Sequence, residues 1–281
     1  MTWMIILLLV WITGGLLNLW LARPLWHKKR IVHLIIPIIF GTMVMISWEL
    51  LVKEFNVSPV ILPAPTTIAQ TFIESTDILI ADFTQTVLKG ALSGFFIGAI
   101  VAIGTAVIVD RWLFLQRGLL PIGNFVAALP IVGIAPILVN WFGFDWQSKA
   151  AVVVVMVFFP ILVNSFQGLR ATNSIQRDLM FTYAAGYLQT LLKLRLPAAM
   201  PFIFNGLKIA TTLALIGAIV SEYFGSPTRG MGFRISTGVG ALTIDLVWAE
   251  IVVAAFSGSV FFGIMVLIER KVTFWHPSQR Q

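Results

Sequence analysis

Long apolar runs, separated by short clusters of charge and proline, set the pattern of this chain. They lie near residues 3–21, 31–52, 86–109, 119–142, 149–168, 206–224 and 247–268. Each is long enough to cross about 30 Å of hydrocarbon as a helix rising about 1.5 Å per residue. The spacing predicts seven spans joined by short loops, with two longer connecting segments.

The first longer segment, residues 53–85, holds Leu62-Pro-Ala-Pro65, after which Ile68, Phe72 and Ile73 recur at helical spacing. Proline suits the first position of a helix, where its missing N–H is not needed. This is either a short helix lying at the outer surface or a plain connector.

The second longer segment runs from Arg170 to Lys208 and is amphipathic. Asn173 can cap a helix, and Gln176 completes a capping box. Ile175, Leu179 and Tyr183 then share one face while Arg177 points elsewhere. Ala184-Ala-Gly186 permits a tight reversal. A second amphipathic stretch, Tyr187–Leu196, is expected to end at Pro197, with Pro201 starting the return into the apolar run. The periodicity predicts helix, turn, helix. On physics alone it is either a hairpin lying on a membrane surface or a handle for a partner.

Two runs carry extra detail. The third has Gly90, Gly94, Gly98, Ala102 and Ala106 at four-residue spacing, a stripe that lets another helix approach closely. The fourth is interrupted by Pro121, Pro130 and Pro136. Each removes a backbone donor, and freed carbonyls at membrane depth are tolerated only inside protein or along a watery cavity. The broken run therefore either borders a translocation path or is a kinked packing helix.

Composition agrees with the pattern. Of the 281 residues 58% are hydrophobic and 11% charged, against about 25% charged in a soluble domain. The mean hydropathy is +0.94. The bilayer is the solvent for most of the chain, and the fold class is all-α and polytopic. Without cysteine there are no disulfides, iron–sulfur clusters or thiolate metal sites. His27, His33 and His276 have no ligand spacing, and no internal repeat supports an inverted-repeat carrier.

A net charge of +7 would suit nucleic acid, but the distribution of the charge argues for topology instead. One set of loops holds Arg23, Lys28, Lys29, Arg30, Arg111, Arg117, Arg170, Arg177, Lys193, Arg195, Lys208, Arg270, Lys271 and Arg280. Only Lys53, Lys89, Lys149, Arg229 and Arg234 remain for the other side. The richer set is expected to be cytoplasmic, with the C-terminus inside and the N-terminus outside. The first run has no leading charge and is followed by Arg23-Pro-Leu-Trp-His-Lys-Lys-Arg30, so a retained anchor fits better than a secretory signal.

Catalytic patterns are missing. There is no G-x-x-x-x-G-K-[ST], no H-E-x-x-H and no G-x-S-x-G. Gly230-Met-Gly232 looks like part of a dinucleotide fingerprint but follows no strand pattern. Carboxylates near apolar runs are costly and tend to be functional. Glu49 and Glu250 read as interfacial anchors. Glu222 is either a hydrogen-bond hub for the glycine-rich loop that follows it, or a gate or substrate contact.

At the 170–208 segment the chain resembles the inner-membrane permease subunits of binding-protein-dependent ABC importers. Their hallmark is E-A-A-x-x-x-G, nine residues, then I-x-L-P. Anchored on Leu196-Pro197, Asp178 stands at the Glu, Leu179-Met180 at the two Ala, Ala184 at the Gly and Leu194 at the Ile. The spacing is kept while the first half departs in residue type. Other stretches resemble the nitrate, sulfonate and taurine branch: Leu62-Pro-Ala-Pro65, Phe142-Gly-Phe-Asp-Trp-Gln-Ser-Lys149, Phe159-Pro-Ile-Leu-Val-Asn164 and Gly168-Leu-Arg170. Glu222 with Gly230-Met-Gly232, and Glu269-Arg-Lys-Val-Thr-Phe-Trp275, fit as well. The Asp-Leu-Met form is similar to importers of riboflavin or thiamine-pyrimidine precursors.

The resemblance implies a type I ABC importer-like transmembrane domain of about six core spans plus one extra N-terminal span. Residues 1–30 would be that anchor span and a basic loop, and 31–85 a second span with an outward segment. Residues 86–275 would be the permease core with a coupling loop at 170–205, and 276–281 a cytoplasmic tail. A second copy of the permease would pair with the first, as a homodimer, around a central path in the bacterial inner membrane and its lipid. Each would dock its hairpin on an ABC ATPase dimer that carries ATP and Mg. A periplasmic or lipid-anchored binding protein would deliver a small polar solute. No cofactor, metal or nucleic acid is expected on this chain.

The residues implied for ATPase coupling are Asp178, Leu179, Met180, Tyr183, Ala184, Ala185, Gly186, Leu194, Leu196 and Pro197. Asp178 would orient the hairpin by a charge-assisted bond to a partner or to the basic loop. Pro130, Pro136, Asn164 and Glu222 are the candidates for a path or gate. The competing functions are an ATPase-independent secondary transporter or channel, and then a membrane-embedded enzyme, for which the histidines and carboxylates would have to converge.

Overall fold

A backbone in hydrocarbon must satisfy its own donors and acceptors, which favours helices. The computed structural model describes residues 2–23, 30–127, 129–225 and 228–275, and no strand occurs among them. Lys28, Lys29, His27 and the tail 276–281 lie outside the described residues.

Contacts divide the chain into two units, Met1–Thr76 with Gly238–Ala249, and Asp77–Thr237 with Glu250–Gln281. In the first unit α1 (Thr2–Leu21) packs on α2 (Arg30–Glu54). Gly14 lies directly under Met43, and Trp11 Nε1 donates to Ser47 Oγ at 2.9 Å. Of the two readings left open at Pro65 the short helix is the one that forms, as α3 (Pro65–Glu74), with proline in its first turn. Its N-cap, Ala64, has no side chain to cap with. Glu49 of α2 supplies the oxygens instead, accepting the Thr66 N–H at 3.1 Å and the Thr66 hydroxyl at 2.8 Å. A carboxylate there also complements the positive end of the helix. Glu49, read as an interfacial anchor, is the anchor of this helix.

The second unit starts with α4 (Thr76–Phe83), a π-helical stretch Thr84–Ala91 and α5 (Leu92–Arg111), which run on as one rod. There follow α6 (Leu113–Ala127), α7 (Ile131–Phe142), α8 (Trp146–Arg170), α9 (Ser174–Thr182), α10 (Tyr187–Thr190) and α11 (Leu196–Gly225). Last come α12 (Met231–Gly240) and α13 (Ile244–Val272). The predicted small-residue stripe is the contact between α5 and α8. A Cβ on Gly94 would stand 2.7 Å from the Ala150 carbonyl oxygen, Gly98 abuts Val157, and Ala102 and Ala106 are fully buried. Further along α8, Gly206 of α11 approaches the Pro160 carbonyl, where a Cβ would stand at 3.2 Å. Lipid is as apolar as a side chain, so this close contact, rather than loss of water, holds the three helices together.

Five helices among the described residues are long and apolar enough to cross a membrane: Leu34–Glu54, Thr76–Arg111, Trp146–Arg170, Tyr187–Gly225 and Ile244–Val272. The first expected span forms α1, 20 residues from Thr2 to Leu21, and one of the seven needs correction. The fourth is two helices, because Pro130 takes an extended conformation (φ −68°, ψ 114°) and becomes the N-cap of α7.

The expected stop at Pro197 is also corrected. Helical structure continues from Tyr187 through Pro197 and Pro201 to Gly225. Leu191–Arg195 widen into a π-helix, and the Leu196 N–H bonds back to Leu191. That extra residue in the turn makes room for the proline ring, which would otherwise strike the preceding turn.

Candidate functional site

The hairpin at 174–190 is built from local signals. The Asn173 side chain accepts the Ile175 N–H at 3.4 Å, and the Gln176 side chain accepts the Asn173 N–H at 3.1 Å, which is the expected capping box. At the other end of α9 the Ala185 N–H bonds to Met180 and the Ala184 N–H to Phe181. This is a Schellman closure whose left-handed residue is Ala184, at φ +50°. Glycine normally takes that place, and Ala184 is the residue that the register from Leu196-Pro197 puts at the hallmark's Gly. Gly186, by contrast, has φ −69° and serves as N-cap of α10.

No residue of α9 or α10 is buried. Ile175 is 73% exposed, Leu179 55%, Tyr183 76% and Phe181 86%. Phe181 was not singled out from sequence because it falls off the face shared by the other three. Asp178 is exposed too, and its backbone carbonyl accepts the Thr182 hydroxyl at 2.9 Å. Met180 and Ala185 are half-buried, and so are Leu194, Leu196 and Pro197 in the stem.

A buried polar network occupies the opposite end of the long helices. Glu222, 1% exposed near the end of α11, accepts the Thr86 hydroxyl at 2.7 Å and the Gly232 N–H at 3.1 Å. Thr86 in turn accepts the Met231 N–H at 2.8 Å. Asp82, one turn before Thr86, accepts the Gly230 N–H at 2.7 Å and pairs with Arg234 at 2.8 Å. The start of α12 is thus held by two acids and a hydroxyl. Gly230 has φ +121°, and a Cβ there would stand 2.5 Å from the Glu222 carboxylate. Gly230-Met-Gly232 is therefore a backbone cradle for Glu222.

Lys149 is fully buried beside this network. Its ammonium donates to the carbonyls of Phe144 and, at 2.6 Å, Gly225, the last residue of α11. A cation suits the carbonyl-rich end of a helix. The Phe142–Lys149 stretch thus works as a turn, with Gly143 at φ +83° and Asp145 capping α8, that carries Lys149 back to α11. Glu250, read as an interfacial anchor, is fully buried instead, because α13 starts at Ile244 and puts it in the second turn.

The path candidates do not converge. Asn164 accepts the Asn205 amide at 2.9 Å and donates to the Pro160 carbonyl at 2.8 Å, an amide pair linking α8 to α11. It lies roughly 22 Å along α8 from Lys149 at 1.5 Å per residue. Pro130 and Pro136 are exposed on α7, whose Val139 abuts Gly225. Sequence reasoning missed Thr86 as a partner of Glu222, and Asp82, Lys149 and Arg234 as members of the surrounding network. The one available signal was the four-residue spacing of Asp82 and Thr86, at the start of a span placed too late.

Residues 94–274 match the family described as binding-protein-dependent transport system inner membrane component. A probable ABC transporter permease protein of Haemophilus influenzae is 30% identical over 240 residues, 85% of this chain and 97% of its own. The formylaminopyrimidine transport permease protein of Halalkalibacterium halodurans is 30% identical over 255 residues, 89% of this chain and 100% of its own. The taurine transport system permease protein of Escherichia coli is 27% identical over 266 residues, 89% of this chain and 92% of its own.

Proposed function

The chain belongs to the family of binding-protein-dependent transport system inner membrane components, and on that premise we propose how its parts divide the work. It is the multi-pass permease subunit of an ATP-driven ABC importer of the sulfonate/taurine-like branch, and ATP hydrolysis lies on a separate subunit. Membership sets aside the ATPase-independent carrier or channel and the membrane enzyme.

In our reading the 174–190 hairpin is the docking element for the ATPase, which binds ATP and Mg. One observation carries it: a rigidly capped hairpin presents Ile175, Leu179, Phe181 and Tyr183 to solvent at the end of two long helices. Exposed apolar surface of this kind marks an interaction site. Asp178 adds a charge-assisted bond to the partner. The hairpin end and the C-terminus face the cytoplasm, and two identical permeases pair around a path through the bilayer. A binding protein delivers cargo at the end that holds Glu222. Pro130, Pro136 and Asn164 border the path, and Glu222 holds the loop at its mouth. Relatives named for formylaminopyrimidine and taurine suggest a small polar solute.

Copurification with the ATPase tests this reading. Asp178→Arg and Ala184→Trp should each strip the ATPase from the purified permease without lowering permease yield. Unchanged copurification in both variants would refute it.

A further inference from the structure

No residue of α9 or α10 is buried, so a force applied to the head of the hairpin reaches the long helices chiefly through the stems. On one side the stem is the end of α8, and on the other it is Leu191–Arg195. Arg195 lies in that second stem. Its Nε donates to the Leu169 carbonyl at 3.0 Å, and its terminal nitrogen meets the Asp110 carboxylate at 2.7 Å. One planar guanidinium therefore ties the stem to the last turns of both α8 and α5, a fork that lysine cannot reproduce.

The placement of Asp110 argues that the tie is specific. It stands one residue before the end of α5, where the helix dipole disfavours a carboxylate. Its side chain is 4% exposed, that of Arg195 is 15% exposed, and no described residue donates to the second Asp110 oxygen. A mostly buried ion pair is weak evidence for stability and better evidence for a fixed arrangement. Two further contacts gather at the spot. The Gln116 amide donates to the Asp110 carbonyl at 3.0 Å, and the Arg111 guanidinium lies 5.0 Å from the Tyr187 ring centroid at the base of the hairpin. The stem is also π-helical here, and single π-turns inside helices recur at functional sites.

We propose that Asp110 and Arg195 are a positioning pair for energy coupling, the joint through which movement of the docked hairpin turns α5 and α8. This rests on the docking role given to the hairpin above. With the joint broken, the hairpin still binds its ATPase and ATP is still hydrolysed, but the permease and ATPase no longer respond to one another.

The test uses the complete complex of permease and ATPase in lipid vesicles, with the cognate binding protein purified together with whatever ligand it carries. Two quantities are read: the ATPase copurified per permease, and the stimulation of ATP hydrolysis by the loaded binding protein. Arg195→Met should keep the first and cut the second at least tenfold. That variant leaves a buried carboxylate unpaired, so the double variant Asp110→Asn with Arg195→Met, which removes both charges, is measured beside it. It should show the same loss with normal yield and full ATPase content. Stimulation within twofold of the parent in the double variant, or loss of its copurified ATPase, would overturn the proposal. Failure of the hairpin reading shows up separately, as unchanged copurification in Asp178→Arg and Ala184→Trp.

Discussion

Thr86 Oγ1 donates to Glu222 at 2.7 Å while accepting the Met231 N–H at 2.8 Å, so one hydroxyl joins three helices. All of these groups are buried. Thr86→Val keeps the shape but leaves the Met231 N–H without a partner. An unsatisfied buried donor costs about 1–3 kcal/mol. The expected result is a lower melting temperature in detergent, with hydrogen exchange at Met231 and Gly232 accelerated more than at the hairpin.

Glu222→Gln separates anchoring from a role in transport. The amide keeps one oxygen for Thr86 or Gly232 but turns a nitrogen toward the rest of the site. If Glu222 only anchors α12, the melting temperature falls and transport per folded complex stays within about twofold, a change under about 0.5 kcal/mol. Transport assayed beside thermal stability decides, and lost transport at full stability would make Glu222 a path residue.

Gly230→Ala is expected to be worse than Thr86→Val. The residue has φ +121°, and the added Cβ would stand 2.5 Å from the Glu222 carboxylate. Backbone strain of this kind costs on the order of 1–3 kcal/mol before the clash is counted. Folded yield after gel filtration is the measurement, and Gly240→Ala, where nothing lies within 4 Å, is the control.

Ala184→Gly should stabilise the hairpin. A left-handed alanine is unfavourable by about 1–2 kcal/mol, and glycine offsets part of this through its larger unfolded entropy. The net gain is under about 1 kcal/mol. Slower amide exchange at Ala185 would show it, since that N–H closes the turn onto Met180. Ala184→Val should give the reverse.

Lys149→Met removes the donor shared by the Phe144 and Gly225 carbonyls. The Gly225 carbonyl, left buried without a partner, costs roughly 1–3 kcal/mol. Limited proteolysis at the turn before α8 should become faster, and Lys149→Arg should protect only in part because its fork is wider.

Much of the framework was legible in the residues. The stripe from Gly90 to Ala106 is a property of helical spacing, and it does carry the α5–α8 contact. The capping box at Asn173 and the proline start at Pro65 depend on neighbours within one turn, so they too could be read. The register from Leu196-Pro197 put the turn at Ala184, where the left-handed φ is found. Reading a stop at Pro197 failed because a proline's effect depends on the width of the turn before it, and the π-helix at Leu191–Arg195 had no sequence signal.

The candidate site was legible only in part. Glu222 and Gly230-Met-Gly232 stood out, but Asp82, Lys149 and Arg234 looked like ordinary loop charges. Asp110 of α5 and Arg195 of the stem leading into α11 are 85 residues apart and meet only because α5 and α11 both pack on α8. Periodicity and capping are short-range, so the sequence alone determined where helices form, which faces they bury and which family they resemble. Partner choice among buried charges depends on which helix ends are brought together. That was decided only when close packing of glycine and alanine faces set the helices in register.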